Sequence, residues 1–143
     1  MDTRRVDVLV IDDNPHDAAL SLRVLLRPPL NLCAEWIADG KAALKLLGEC
    51  ADEALPQVVF LDLNMPGMNG TEVLQSLRRL AKLQHLPIVM FTSSNAPQDV
   101  RECYDLGANS YVVKASEPSI FTAALSKAAA YWTNCNQPCG DVM

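Results

Sequence analysis

Five short apolar runs, each ending at a polar or charged break and each followed by a helix-length segment, constrain this chain more than any other feature. Val6 to Ile11 stops at Asp12, Asp13 and Asn14, and Val58 to Leu61 follows Pro56 and stops at Asp62. Ile88 to Phe91 follows Pro87 and stops at Thr92, Ser93 and Ser94, and Tyr111 to Val113 follows Gly107 and stops at Lys114. A fifth run, Leu32 to Ala38, alternates around Glu35 and Trp36 and suits a sheet edge. Runs this short and this apolar suit strands covered on both faces, which is the environment of a parallel sheet under helices. The intervening segments read as helices over 17–26, 41–50, 71–83, 98–106 and 118–132. Asn69 or Thr71 is expected to cap the third, Gly107 to end the fourth, and Ile120, Phe121, Leu125 and Ala128 to supply the apolar side of the fifth. Strand then helix, five times over, predicts a doubly wound α/β fold. It has one five-stranded parallel sheet and five helices in a single domain over 1–132, with 133–143 as a tail or arm.

Composition narrows the function classes. The 143 residues suit one domain and are expected to carry no separate output module. Twelve Lys and Arg against 17 Asp and Glu give a net charge of −5, which leaves no basic surplus for neutralising nucleic-acid phosphates. No apolar run approaches the roughly 20 residues that span a bilayer. The short N-terminal apolar stretch ends in two aspartates and does not read as a signal peptide. Five scattered cysteines with no CxxC pair, and only His16 and His85, argue against a disulfide scaffold or a zinc site. Free thiols and a cytoplasmic location are the expectation.

The chemistry concentrates where an open parallel sheet places its sites, at the carboxyl ends of the strands. Asp12 and Asp13 follow the first strand, Asp62 the third, Thr92 the fourth and Lys114 the fifth. Taken singly, such an Asp is as a rule a turn or cap former, and Lys114 a solvated charge. Taken together, three carboxylates need a cation to coexist ionised, and a hard divalent ion with oxygen ligands, magnesium first, answers that need. A lysine and a hydroxyl beside a magnesium-bound carboxylate make a site for a phosphoryl group.

These stretches carry a resemblance. VLVIDDN at 8–14, VVFLDLNMPGMNG at 58–70, IVMFTSS at 88–94 and GANSYVVKA at 107–115 resemble, in order and spacing, the receiver domain of two-component response regulators. That resemblance implies the flavodoxin-like, CheY-like version of the fold. It implies Asp62 as the phosphoacceptor for a sensor histidine kinase, with Mg2+ held by Asp12, Asp13, Asp62 and the backbone carbonyl of Asn64. Thr92, Ser93 and Lys114 would meet the phosphoryl group, and Ser93, being small, would leave a donor or water access to Asp62. Thr92 and Tyr111 would form the switch pair, with the readout on the surface of residues 96–132. The DLNMPG string and the LQHLPIVMFTSS segment are similar to the stand-alone regulators of phytochrome-type photoreceptor histidine kinases. That subfamily tends to form dimers through its last helices, an arrangement left open here beside plain packing of the fifth helix on the sheet.

One departure stands out: receivers commonly have a proline after the lysine, joined by a cis peptide, and here Ala115 follows Lys114. A non-proline cis bond costs about 2.5 to 4 kcal/mol. The expectation is therefore a locally different loop, with Ser116, Glu117 and Pro118 forming a cap and first turn and Lys114 still reaching the site. Downstream, the resemblance implies a protein target or a histidine phosphotransfer protein, with no turnover of an outside metabolite. Two other readings compete. An aspartate-nucleophile phosphatase would want a second acid two residues after the nucleophile, where Asn64 stands. A phosphorylation-independent interaction module would have no use for the intact Asp12, Asp13, Asp62, Thr92 and Lys114. Flavin binding would want a Ser/Thr/Gly-rich loop after the first strand, where none is found.

Overall fold

A computed structural model of the chain describes residues 6–139. The first run becomes β1 (Val8–Ile11) and the chain then builds α1 (Pro15–Leu26), β2 (Ala34–Ile37), α2 (Gly40–Glu49) and β3 (Val58–Leu61). It continues through α3 (Gly70–Arg79), β4 (Ile88–Thr92), α4 (Pro97–Asp105), β5 (Ser110–Val113) and α5 (Pro118–Ala130). The strands form one sheet in the order β2-β1-β3-β4-β5, with parallel pairing throughout. The strand predicted from the alternating run is indeed an edge.

Strand periodicity divides the core. Leu9, Ile11, Val59, Leu61, Ile88 and Met90 face one way, and against them pack Ala43 and Leu47 of α2, Val73, Leu74 and Leu77 of α3, and Cys103 of α4. Val8, Val10, Val58, Phe60, Val89 and Phe91 face the other way, under Leu25 of α1 and Phe121, Leu125 and Ala129 of α5. Both faces are therefore covered, which is why the central strands are apolar at consecutive positions. Phe91 sits between Phe60 and Phe121, with ring centroids 6.1 and 5.0 Å away.

Local signals set the helix starts. Asn14 caps α1 by accepting from the amides of His16 and Asp17, with Pro15 at the first position, so the helix begins two residues before the expected Asp17. Asn69, not Thr71, caps α3. It shares a reciprocal capping box with Glu72. That helix ends at Arg79 rather than running to Leu83. Leu80 adopts an extended conformation and Ala81–Leu83 make a 3₁₀ turn. Arg78 holds this ending in place, donating to the carbonyls of Leu83, Leu86 and Gly107 and to Asn109 Oδ1. Gly107, at φ +106°, ends α4 as expected.

The fifth helix also departs from expectation. Its buried side is Phe121, Leu125 and Ala129, while Ile120 points out and is 58% exposed. After Ala130 a π-helical turn, Tyr131–Cys135, extends the helical run beyond Trp132 into the segment read as a tail or arm. Thr133 bonds back to the Ala129 carbonyl at 2.7 Å, and the Tyr131 and Trp132 rings pack edge to face. The end of the expected arm, residues 140–143, and the first five residues of the expected domain lie outside the described residues.

Candidate phosphoryl and metal site

At the carboxyl end of the sheet, β1, β3 and β5 deliver Asp12, Asp62 and Lys114 to one point. All three are buried. Lys114 Nζ donates to Asp12 Oδ2 at 2.7 Å, to Asp17 Oδ2 at 3.0 Å and to Asp62 Oδ2 at 3.4 Å, and it lies 5.6 Å from the Phe91 ring centroid. An ammonium has three donors, and here each has a carboxylate. Asp12, Asp13 and Asp62 each bring a carboxylate oxygen within 4.8 Å of the others, and Asp13 is the half-exposed member. Three hard oxygen donors on one side of a small volume fit a divalent cation such as magnesium.

Backbone amides shape the acids. The Asn14 amide donates to Asp12 Oδ1 at 2.9 Å and the Asn64 amide to Asp62 Oδ1 at 3.4 Å. Burial pushes the Asp12 carboxyl up from 3.8 to about 6, against the opposing pull of Lys114 and the Asn14 amide; the Asp62 charge adds to the rise. For Lys114, burial alone would favour the neutral amine, but Asp12, Asp62 and Asp17 outweigh it and hold the ammonium above its ordinary value. The site is thus a set of charges held together by one internal cation.

Asp13, Asn14, Pro15, Asp17, Asp62, Asn64, Ser93 and Lys114 line an open cleft of about 540 Å³. Asn64 and Ser93 both reach its wall, so position 64 carries an amide, not a second acid. Thr92 is fully buried at the end of β4, its carbonyl accepting from the Lys114 amide at 2.7 Å. Its hydroxyl has no hydrogen-bond partner. A buried hydroxyl without a partner is costly and keeps a donor to spare; Ser21 on α1 is in the same state.

The loop beyond Asp62 is fixed by a close approach. Gly70 N donates to the Leu63 carbonyl at 2.7 Å, and a Cβ at position 70 would stand 2.3 Å from the Asp62 carbonyl oxygen and 2.7 Å from Leu63 Cα. Only glycine lets α3 start so near the end of β3. On the other side Lys114–Ala115 is a trans peptide, and the expected cap forms, with Glu117 accepting from the Ser119 amide and Pro118 opening α5. Lys114 reaches the acids with alanine after it.

Tyr111 is half-buried against the core cluster on the α3 and α4 side. Its hydroxyl donates to the Ser94 carbonyl at 2.9 Å, while the Ser94 hydroxyl donates to Asp99 at 2.5 Å. The ring therefore holds the loop between β4 and α4. Burial raises the Tyr111 pKa, with the Ser94 contact opposing it.

Three contributors escaped the sequence reading: Asp17, Trp36 and the Ser94–Asp99 pair. Asp17 could have been found, because it lies three residues after the Asn14 cap, in the helical turn that opens onto the site. Trp36 Nε1 donates to the Asp12 carbonyl at 2.5 Å, a contact between strands that no local spacing announces.

Comparison with known proteins shows the family and the fold. Residues 8–126 match the family described as "Response regulator receiver domain". The chain is 33% identical over 135 residues to "Probable methanogenesis regulatory protein FilR2" of Methanothrix harundinacea (strain 6Ac), covering 93% of this chain and 87% of that protein. It is 32% identical over 110 residues to response regulator Rcp1 of Synechocystis sp. (strain ATCC 27184 / PCC 6803 / Kazusa), covering 75% of each. Among solved structures it is similar to the bacteriophytochrome response regulator AtBRR, with a TM-score of 0.71, 31% identity and coverage of 97% of this chain and 99% of that one.

Proposed function

The chain belongs to the response regulator receiver domain family, and from that premise we propose that it accepts a phosphoryl group on Asp62 from a sensor histidine kinase, with Mg2+ bound. The observation that carries this reading is the meeting of Asp12, Asp13, Asp62 and Lys114 at one end of the sheet; Thr92, its buried hydroxyl without a partner, ends the strand next to that of Asp62. Asp12, Asp13, Asp62 and the carbonyl of Asn64 would hold the ion, which when bound neutralises charge on the phosphoryl oxygens.

In the transfer, an oxygen of Asp62 forms the new bond to phosphorus as the bond from phosphorus to the donor's imidazole nitrogen breaks. The electron pair leaves with that nitrogen, which regains a proton from solvent. Lys114 supplies a positive charge to the transferring group, Thr92 donates its free hydroxyl to a phosphoryl oxygen, and Ser93 leaves the cleft open to donor and water. Drawing Thr92 toward the phosphoryl group changes the packing next to Tyr111. The loop that Tyr111 holds through Ser94 then changes with it, and with it the surface of residues 96–132.

On this reading the protein is a signalling module, and its target is a protein that recognises the altered surface, or a histidine phosphotransfer protein. Likeness to the bacteriophytochrome regulator AtBRR supports a phytochrome-type kinase as the donor. Incubation with acetyl phosphate and Mg2+, followed by intact mass, tests the chemistry. One phosphoryl adduct is expected, lost in Asp62→Asn and lost with EDTA; labelling that persists without the metal would refute the role given to the carboxylates. Continuous release of phosphate from phosphate monoesters such as p-nitrophenyl phosphate would instead favour a phosphatase.

A further inference from the structure

We infer that Trp36 is a positioning residue of the acidic site, locking the peptide plane between the two consecutive aspartates through its indole N–H. The inference rests on the reading of Asp12 and Asp13 as metal ligands. Strand pairing between β1 and β2 ends at Ile11 opposite Ile37, and the Asp12 amide closes that ladder by donating to the Ile37 carbonyl at 3.1 Å. The Asp12 carbonyl lies one step further on. It is taken by a side chain, Trp36 Nε1, at 2.5 Å. Both backbone groups of Asp12 are thus tied to the edge strand, one by backbone and one by indole.

That carbonyl belongs to the peptide joining Asp12 to Asp13. Its orientation fixes where the Asp13 chain departs, and Asp13 is the half-exposed member of the acid cluster, without the Lys114 contact that anchors Asp12 and Asp62. A peptide free to tilt would let the Asp13 carboxylate wander. Trp36 is 37% exposed and sits on an edge, so burial alone does not account for a tryptophan here. The indole has one donor, and it is spent on this carbonyl.

The experiment uses the full chain and magnesium ion alone as the probe. Trp36 and Trp132 are the two tryptophans, so Trp132→Phe leaves Trp36 as the sole indole emitter. Its emission should change saturably with Mg2+, at the concentrations where calorimetry on wild type detects binding. Trp36→Phe keeps an aromatic ring without the donor and should weaken Mg2+ binding by up to about fivefold, the ceiling set by one neutral hydrogen bond. Its urea midpoint in EDTA should fall only by the small amount that losing one partly buried hydrogen bond explains. Replacing Trp36 by its benzothienyl isostere, which keeps the ring volume and loses the N–H, should weaken binding equally and guards against misfolding of the Phe variant. Equal Mg2+ affinity in wild type and the isostere would overturn the role of Trp36 while leaving the metal reading intact. No Mg2+ binding by wild type would overturn both.

Discussion

Asp12 offers a prediction whose sign is fixed by the site and whose size follows, to order of magnitude, from its burial. Its carboxyl is buried and its pKa rises from 3.8 to about 6, burial being the main cause. A raised acid pKa means that the folded state binds the proton more tightly than the unfolded chain. The group therefore costs nothing below about pH 4, where both states are protonated. The cost grows between 3.8 and about 6, and is complete above that. At about 1.4 kcal/mol per pH unit, the full cost is about 3 kcal/mol. Asp12→Asn has nearly the same shape without the ionisation, and Lys114 keeps Asp17 and Asp62 as partners. In EDTA at pH 7.5 the variant should be more stable than wild type by about 1 to 3 kcal/mol, the lower figure allowing for the lost Lys114 contact. In a chain of this size that is a rise in melting temperature of roughly 3 to 10 °C. At pH 4 the gain should vanish. Excess Mg2+ should reverse the order, because a metal at about a thousand times its Kd adds about 4.1 kcal/mol to wild type. The assay is thermal and urea unfolding at pH 4, 6 and 7.5, with EDTA or Mg2+. A variant less stable than wild type in EDTA at pH 7.5, or a difference unaltered by pH, would refute the argument.

Three further outcomes follow from named contacts. Gly70→Ala should destabilise by about 1 to 3 kcal/mol, as overpacking does, and should slow phosphoryl labelling, since the new Cβ strikes the Asp62 carbonyl; urea unfolding and intact mass check it. The Cys103 thiol, buried and raised to about 11 by burial first and then by Glu102 and Asp99, should resist a thiol reagent at pH 8 until the protein unfolds. Exposed Cys135 and Cys139 should react at once, as timed labelling with mass analysis would report. If the last helix mediates a dimer, exposed Ile120 and Tyr131 are where it is most easily broken, so Ile120→Glu with Tyr131→Ala should shift sedimentation from dimer to monomer. A wild type that sediments as a monomer at high concentration would remove the dimer.

Much of the fold is legible because its signals are local. An apolar run followed by Asp62 or by Thr92 marks both a strand and its carboxyl end, and one architecture then brings Asp12, Asp62 and Lys114 into contact, with Thr92 ending β4. Glycine at 107 marks a helix end by conformational preference, and asparagine at 69 marks a helix start by the hydrogen bond its side chain can accept. What stayed hidden depends on partners distant in the chain. Helix α3 stops at Arg79 because Arg78 draws in carbonyls as far away as Gly107, which no window around Leu80 contains. Trp36 reads as an edge-strand residue until Asp12, 24 residues earlier, is seen under its indole. Ile120 fits the apolar pattern of its helix and yet faces out. The stripe that packs is Phe121, Leu125 and Ala129, and a run rich in alanine gives little contrast between faces.

The central claim is that Asp62 carries the phosphoryl group, and locating that group tests it most directly. Borohydride reduces an acyl phosphate on an aspartate to homoserine. After labelling with acetyl phosphate and Mg2+, peptide mass mapping should find homoserine at position 62 and at no other carboxylate. Homoserine at Asp12, Asp13 or Asp17 instead, or a labelled protein with Asp62 unmodified, would contradict the account.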